Sequence, residues 1–137
     1  MASVSIQQLR VVEDTLRQIR ESIHHLEAWN DPYVDLSEML SSPDGVKTLT
    51  ADCMLIEAIG EGVKRIDEQT GQQLLHARPE IPWHAVKGMR NRIAHGYFDI
   101  NYDMVWDVVK NDLPALHVAI DYFIEHLYEI VPFEQNV

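Results

Sequence analysis

Cys53 is the only cysteine in the chain. That excludes an internal disulfide and any cysteine-based metal cluster, and it favours a reducing, cytoplasmic setting. Long apolar runs are missing too. None approaches the roughly 18 residues that a bilayer-spanning helix needs, so no membrane segment is expected. Met1-Ala2-Ser3-Val4-Ser5 has no basic region leading into an apolar stretch, and no secretory leader is read there. No segment alternates apolar and polar residues with period two, which argues against strands. Positive charge is scarce. Eleven Lys and Arg stand against 22 Asp and Glu, a net charge of −11. Such a surface repels a polyanion globally and does not coat a nucleic-acid duplex.

Metal-ligand spacing is also lacking, despite seven histidines. Glu21-x-x-His24 is half of a carboxylate-bridged di-metal pattern, which needs a second such pair and further carboxylates. No second Glu-x-x-His and no His-x3-His occurs. We therefore expect no metal and no cofactor. His24, His25, His117 and His126 read as surface or helix-flank residues. His76 and His84 lie nearer the stretch of interest described below.

What the chain does have is helical periodicity. Its 137 residues, 46% of them hydrophobic, suffice for one domain with its own core, spanning 1–137. Ser5 and Gln8 make a capping box. Leu9, Val12, Leu16, Ile19, Ile23 and Leu26 follow at three- and four-residue spacing, and the helix ends near Asn30-Asp31-Pro32. Residues 31–45 read as a loop with one helical turn around Leu36–Leu40. A second long helix is expected from about Asp44 to Gln69, with Val46, Leu49, Cys53, Ile56, Gly60, Val63 and Ile66 on one stripe. Gly60 and Gly62 each cost about 1 kcal/mol there, which a close helix approach would explain. Cys53 on that stripe reads as an inert thiol. Tyr102, Val105, Trp106 and Val109 predict a short helix. Pro114 opens a last one, with Leu116, Ile120, Phe123, Leu127 and Ile130 on its apolar face. The fold class is all-α, an up-and-down bundle of about five helices.

Basic residues concentrate in one place. Residues 76–98 hold Arg78, Lys87, Arg90 and Arg92 against Glu80, a local +3. Residues 99–137 hold Lys110 against eight acids, a local −7. Within the basic segment Pro82 fits a first helical position. Trp83, Val86, Met89 and Ile93 form an apolar face, and Gly96 suits a left-handed C-terminal stop. Arg90 and His95 are then five residues apart, about 140° around a helix. They meet one substrate only if the helix ends near His95. On their own, an arginine and a histidine there could simply cap and solvate a helix end.

Arg90-Asn91-Arg92-Ile93-Ala94-His95-Gly96-Tyr97 resembles the Arg-x4-His-x-Tyr motif of HEPN-domain proteins, specifically HepT-like toxins paired with a minimal nucleotidyltransferase (MNT) antitoxin. Ile81-Pro82-Trp83, Gly88-Met89, Val105-Trp106 and Asp112-Leu113-Pro114 extend the resemblance over residues 46–130. It implies a HEPN-type bundle, homodimeric, with its cleft at the dimer interface. It also implies a metal-independent endoribonuclease toxin acting on tRNA or mRNA. Arg90, Asn91 and His95 would be catalytic, and Tyr97 the acceptor of AMP groups transferred by the antitoxin. Lys87, Arg92 and Arg78 are candidate RNA contacts. The residue types suit the chemistry. Attack of a 2′-OH on its neighbouring phosphate needs proton transfer and positive charge on the developing oxyanion. Histidine titrates near neutrality, and arginine's planar fork matches phosphate oxygens. One motif supplies one strong acid/base, and a two-fold dimer would supply two. The alternative is a non-catalytic HEPN subunit that binds and assists the nucleotidyltransferase.

Overall fold

The structure is a computed structural model that describes residues 4–96 and 98–134. Its long helices are α1 (Ile6–Asn30), α3 (Pro43–Gln69) and α7 (Leu113–Ile130). Helix α1 packs against both α3 and α7. At its start Gln8 N–H donates to Ser5 Oγ (3.1 Å) and Ser5 N–H to Gln8 Oε1 (2.9 Å), the expected reciprocal cap. All six seam residues from Leu9 to Leu26 are buried. The seam is the spine of the core because its side chains face α3 and α7 together.

The one helical turn in the loop is α2 (Leu36–Leu40), which places Met39 in the core. Helix α3 begins at Pro43 under a Ser42 cap. Gly45 is obligatory there, since a Cβ would stand 1.9 Å from the Met39 carbonyl oxygen. The α3 stripe differs from the expectation at two positions. Val46 is exposed and Cys53 only half-buried, while Asp52 and Ile59 turn inward. A 27-residue helix facing α1 on one side and the segment from Trp83 to Lys87 on another buries a wider band than a single stripe.

Two further differences concern the second half. The predicted single motif helix is split into α4 (Trp83–Lys87) and α5 (Met89–Ile93) by Gly88, at φ −96° and ψ 14°. Glycine is the weakest helix former after proline, so a break costs least there. The helices on either side of Pro114, by contrast, are not separated by a loop. Helix α6 (Tyr102–Asp107) runs through a π-helical turn, Val108–Asp112, directly into α7. Leu113 N–H reaches back to the Val108 carbonyl. The wider turn accommodates a proline that has no N–H to give. Finally, β1 (Val4–Ser5) pairs in parallel with β2 (Phe133–Glu134), Val4 opposite Phe133. Two-residue strands are too short to show a period, so the sequence pattern holds no trace of them. Among the described residues no helix is long and apolar enough to cross a membrane.

Candidate active site

Helices α4 and α5 are held onto α3 by their apolar side. Val86, Met89 and Ile93 are buried. Trp83 donates its indole N–H to the Arg78 carbonyl (2.9 Å), and its ring lies 5.7 Å from that of Phe123. A Cβ on Gly60 would stand 3.0 Å from the Val86 carbonyl oxygen. The expected close approach at Gly60 is therefore the seat of α4. Gly62 serves α1 instead, against Ile19.

The motif helix stops at Ile93, earlier than Gly96. Ala94 is extended (φ −155°, ψ 141°). Asn101 N–H donates to the Ile93 carbonyl (2.7 Å) and His95 N–H to the Asp99 carbonyl (3.1 Å). These bonds pair Ala94 with Ile100 and close the segment between them into a tight loop. Returning chain, rather than a left-handed glycine, satisfies the helix end. Gly71 is the glycine with positive φ among the described residues, and Gly96 has open space around it.

Arg90 projects to one side of α5. Its Nε lies 3.1 Å from Glu57 Oε1 on α3, and both side chains are about half exposed, at 52% and 48%. Beside them is a groove of about 240 Å³ lined by Cys53, Met54, Glu57, Arg90, Ala94 and Gly96. His95 is exposed at the rim of the same loop. Its ring makes no hydrogen bond or ion pair with a described residue. Burial, together with Asp52 and Glu57, pushes the Cys53 thiol up to about 11. At neutral pH it stays protonated, which keeps it inert as the sequence suggests.

Asn91 opens onto a different depression, of about 430 Å³, lined by Lys64, Asp67, His84, Lys87 and Asn91 among others. Arg90 and Asn91, neighbours in sequence, therefore face separate grooves. Lys87 is ion-paired with Asp67, which is itself nearly buried. Arg92 turns toward the α6–α7 junction, 3.4 Å from Asp112 Oδ2 and 3.6 Å from Met104 Sδ. Arg78 donates to Glu80 Oε2 (2.8 Å) and lies 4.9 Å from the centroid of the Tyr122 ring. Every cation of the locally basic segment is thus matched by a carboxylate. Three of those carboxylates, Glu57, Asp67 and Asp112, come from outside the segment. Sequence reasoning missed them because their partners are 20 or more residues away, beyond the range of any local spacing rule. Tyr97 lies outside the described residues.

The helical bundle, with an arginine on a short surface helix and a histidine on the tight turn after it, agrees with the HEPN-type fold that the motif resemblance implies. The family model described as "Ribonuclease HepT-like" matches residues 20–123, and the chain belongs to that family. The match begins within α1, which the motif resemblance over residues 46–130 does not reach. Among curated relatives, the chain is 37% identical over 68 residues to a Methanocaldococcus jannaschii protein named "Putative RNase MJ0127", covering 50% of this chain and 53% of that one. It is 39% identical over 70 residues to "Probable ribonuclease HepT" of Thermococcus cleftensis, covering 51% and 60%. To "Putative RNase MJ0125", also from M. jannaschii, it is 29% identical over 96 residues, covering 70% and 77%. The chain spans a little over half the length of the first relatives it matches. No solved structure matches it.

Proposed function

We propose that this chain is a metal-independent endoribonuclease toxin of the HepT type. It works as a homodimer, with RNA as substrate, and is held in check by an MNT-type nucleotidyltransferase antitoxin. The observation that carries the reading is the exposed pair Arg90 and His95, on one short helix and its closing turn, beside an open groove. In the reaction the 2′-oxygen bonds to the adjacent phosphorus and the bond from phosphorus to the 5′-oxygen breaks. One histidine takes the 2′-OH proton and a second protonates the leaving oxygen. Arg90 stabilises the charge on the non-bridging oxygens. The products are a 2′,3′-cyclic phosphate and a 5′-OH. Asn91 faces the other depression, so its part is weaker than that of Arg90 or His95.

A single chain offers one His95, so two copies must face each other. Met54, which lines the Arg90 groove, is 74% exposed, and Phe98, three residues after His95, is fully exposed. Large apolar side chains left in water around a polar site suit burial by a second copy. The test is cleavage of total tRNA and an mRNA transcript by purified dimer in excess chelator. His95→Ala should lower the rate by about 10²–10⁴-fold. Arg90→Ala should be comparably severe and Asn91→Ala milder. Strict dependence on added divalent metal, or full activity of a stable monomer, would refute the mechanism.

One observation favours a second reading. Each of Arg78, Lys87, Arg90 and Arg92 already has an acidic partner, which weakens the attraction for phosphate. A non-catalytic HEPN subunit that binds and assists the nucleotidyltransferase would need no such attraction. That reading predicts the same dimer and partner with no cleavage by the unmodified protein.

A further inference from the structure

On the α1–α7 face, away from α5, two histidines and a carboxylate from distant parts of the chain come together. His24 and Glu27 are three residues apart on α1, and His117 is on α7. One ligand atom from each lies within 4.8 Å of the other two. His117 Nδ1 is 3.1 Å from Glu27 Oε2, and its Nε2 is 3.3 Å from Asp121 Oδ2. The His24 ring stands edge-on to it, with centroids 5.0 Å apart. We propose that His24, Glu27 and His117 bind one divalent transition-metal ion of the zinc class, with Asp121 supporting His117.

Four features support this site. Two imidazoles and one carboxylate are a recurrent donor set for zinc-class ions, with bonds of about 2.0–2.2 Å. Donors on such an ion stand about 3–3.5 Å apart, the separation already present between His117 and Glu27. The backbones are rigid, because each donor follows a buried neighbour: Ile23, Leu26 and Leu116 are all in the core. Lastly, Asp121 sits at the second ring nitrogen of His117. A metal ligand's remaining N–H usually donates to a carboxylate, which fixes tautomer and ring orientation. Arg20 is drawn to the other Asp121 oxygen at 3.8 Å. Glu21 is not a ligand, for it pairs with His25 at 3.6 Å. The half-pattern Glu21-x-x-His24 thus points to a real ligand but names the wrong carboxylate. With three protein donors the ion keeps a position for water or an outside ligand.

A purely structural histidine held between two carboxylates is the competing explanation, and metal titration separates the two. ZnCl₂ should bind the full-length protein by calorimetry with one ion per chain and raise its Tm. Co²⁺ should give the visible d–d bands of a low-coordinate site. Glu27→Gln, which preserves shape and helix, and His117→Ala should each abolish the saturable site. Asp121→Asn should weaken it by about 10–100-fold. His126→Ala, outside the cluster, should leave it unchanged. Failure of wild type to take up an ion, or equal uptake by Glu27→Gln and His117→Ala, would overturn the site. Neither result bears on RNA cleavage, which is measured in chelator.

Discussion

Glu57 Oε1 lies 3.1 Å from Arg90 Nε across the α3–α5 contact. The arginine expected to meet phosphate is therefore already aimed by a carboxylate, and RNA must compete with it. An ion pair this exposed is worth at most about 1 kcal/mol. Glu57→Gln should keep the groove's shape and remove the competing charge. Steady-state cleavage should show KM lower by roughly two- to fivefold and kcat nearly unchanged. A raised KM would mean that Glu57 holds Arg90 in its working position and that the carboxylate is needed.

The control residue in the proposed function is Tyr97. Each AMP on its phenol would add bulk and negative charge two residues from His95, and would hinder RNA both sterically and electrostatically. Tyr97→Phe keeps the ring and removes the acceptor oxygen. It should fold normally, retain much of the RNase activity, and escape inhibition by an MNT partner supplied with ATP. Mass spectrometry of co-expressed wild type should find mass added in multiples of AMP on the peptide containing Tyr97. Efficient neutralisation of Tyr97→Phe, with no adduct there, would place control in ordinary binding instead.

What was legible in the sequence follows the range of the interactions. The α1 seam, the Ser5–Gln8 cap, the single turn at Leu36–Leu40 and the role of Gly60 are local patterns, and the structure has all four. The motif itself is local and family-specific, so Arg90 and His95 could be named as candidates. Partners across the fold could not. Nothing near Arg90 announces Glu57, nothing near Lys87 announces Asp67, and so a +3 segment turns out to be neutralised pair by pair. The π-helical turn before Pro114 was hidden for another reason. A proline reads as a break, and only the packed context of Val108 and Val109 keeps the helix running through it.

Gly60 ties stability to the site. A side chain there would press on the Val86 carbonyl, which belongs to backbone and cannot rotate away. Gly60→Val should destabilise by about 1–3 kcal/mol through overpacking, although valine is a better helix former than glycine. Because α4 leads directly into α5, the displacement should carry Arg90 with it. Activity at a temperature where the variant is still folded should fall with kcat, and urea melts should show a lower midpoint. Gly62→Val would push on the Ile19 side chain instead and should spare the site. Equal losses of activity from both variants would break the assigned link between Gly60 and the motif.

The last prediction concerns Asp52, which is completely buried between α1 and α3. Asn30 Nδ2 donates to its Oδ1 at 2.9 Å and to the Leu26 carbonyl at 2.8 Å. Asn30 Oδ1 and Asp52 Oδ2 are left without partners. Lys110, from the π-helical turn, bonds the Asn30 carbonyl at 3.0 Å and pulls the Asp52 carboxyl down somewhat. Burial outweighs that pull and the Asn30 bond, and pushes it up from 3.8 to about 6. A neutral carboxyl also offers a donor, which a carboxylate lacks. The folded state thus holds this proton more tightly than the unfolded chain does. Stability is fully present below about pH 4 and falls as pH rises to about 6, by on the order of 3 kcal/mol in all. Between about pH 5 and about pH 7 the loss should be about 1 kcal/mol. Glu13, whose carboxyl is lowered by Arg17 and Tyr128, acts in the opposite direction and only at lower pH. Asp52→Asn supplies a permanent amide donor and no charge. Urea unfolding of the wild type should show the decline between these two pH values, and Asp52→Asn should flatten it. A wild-type curve that rises over this range, or a decline that survives in Asp52→Asn, would mean that another group sets the pH dependence.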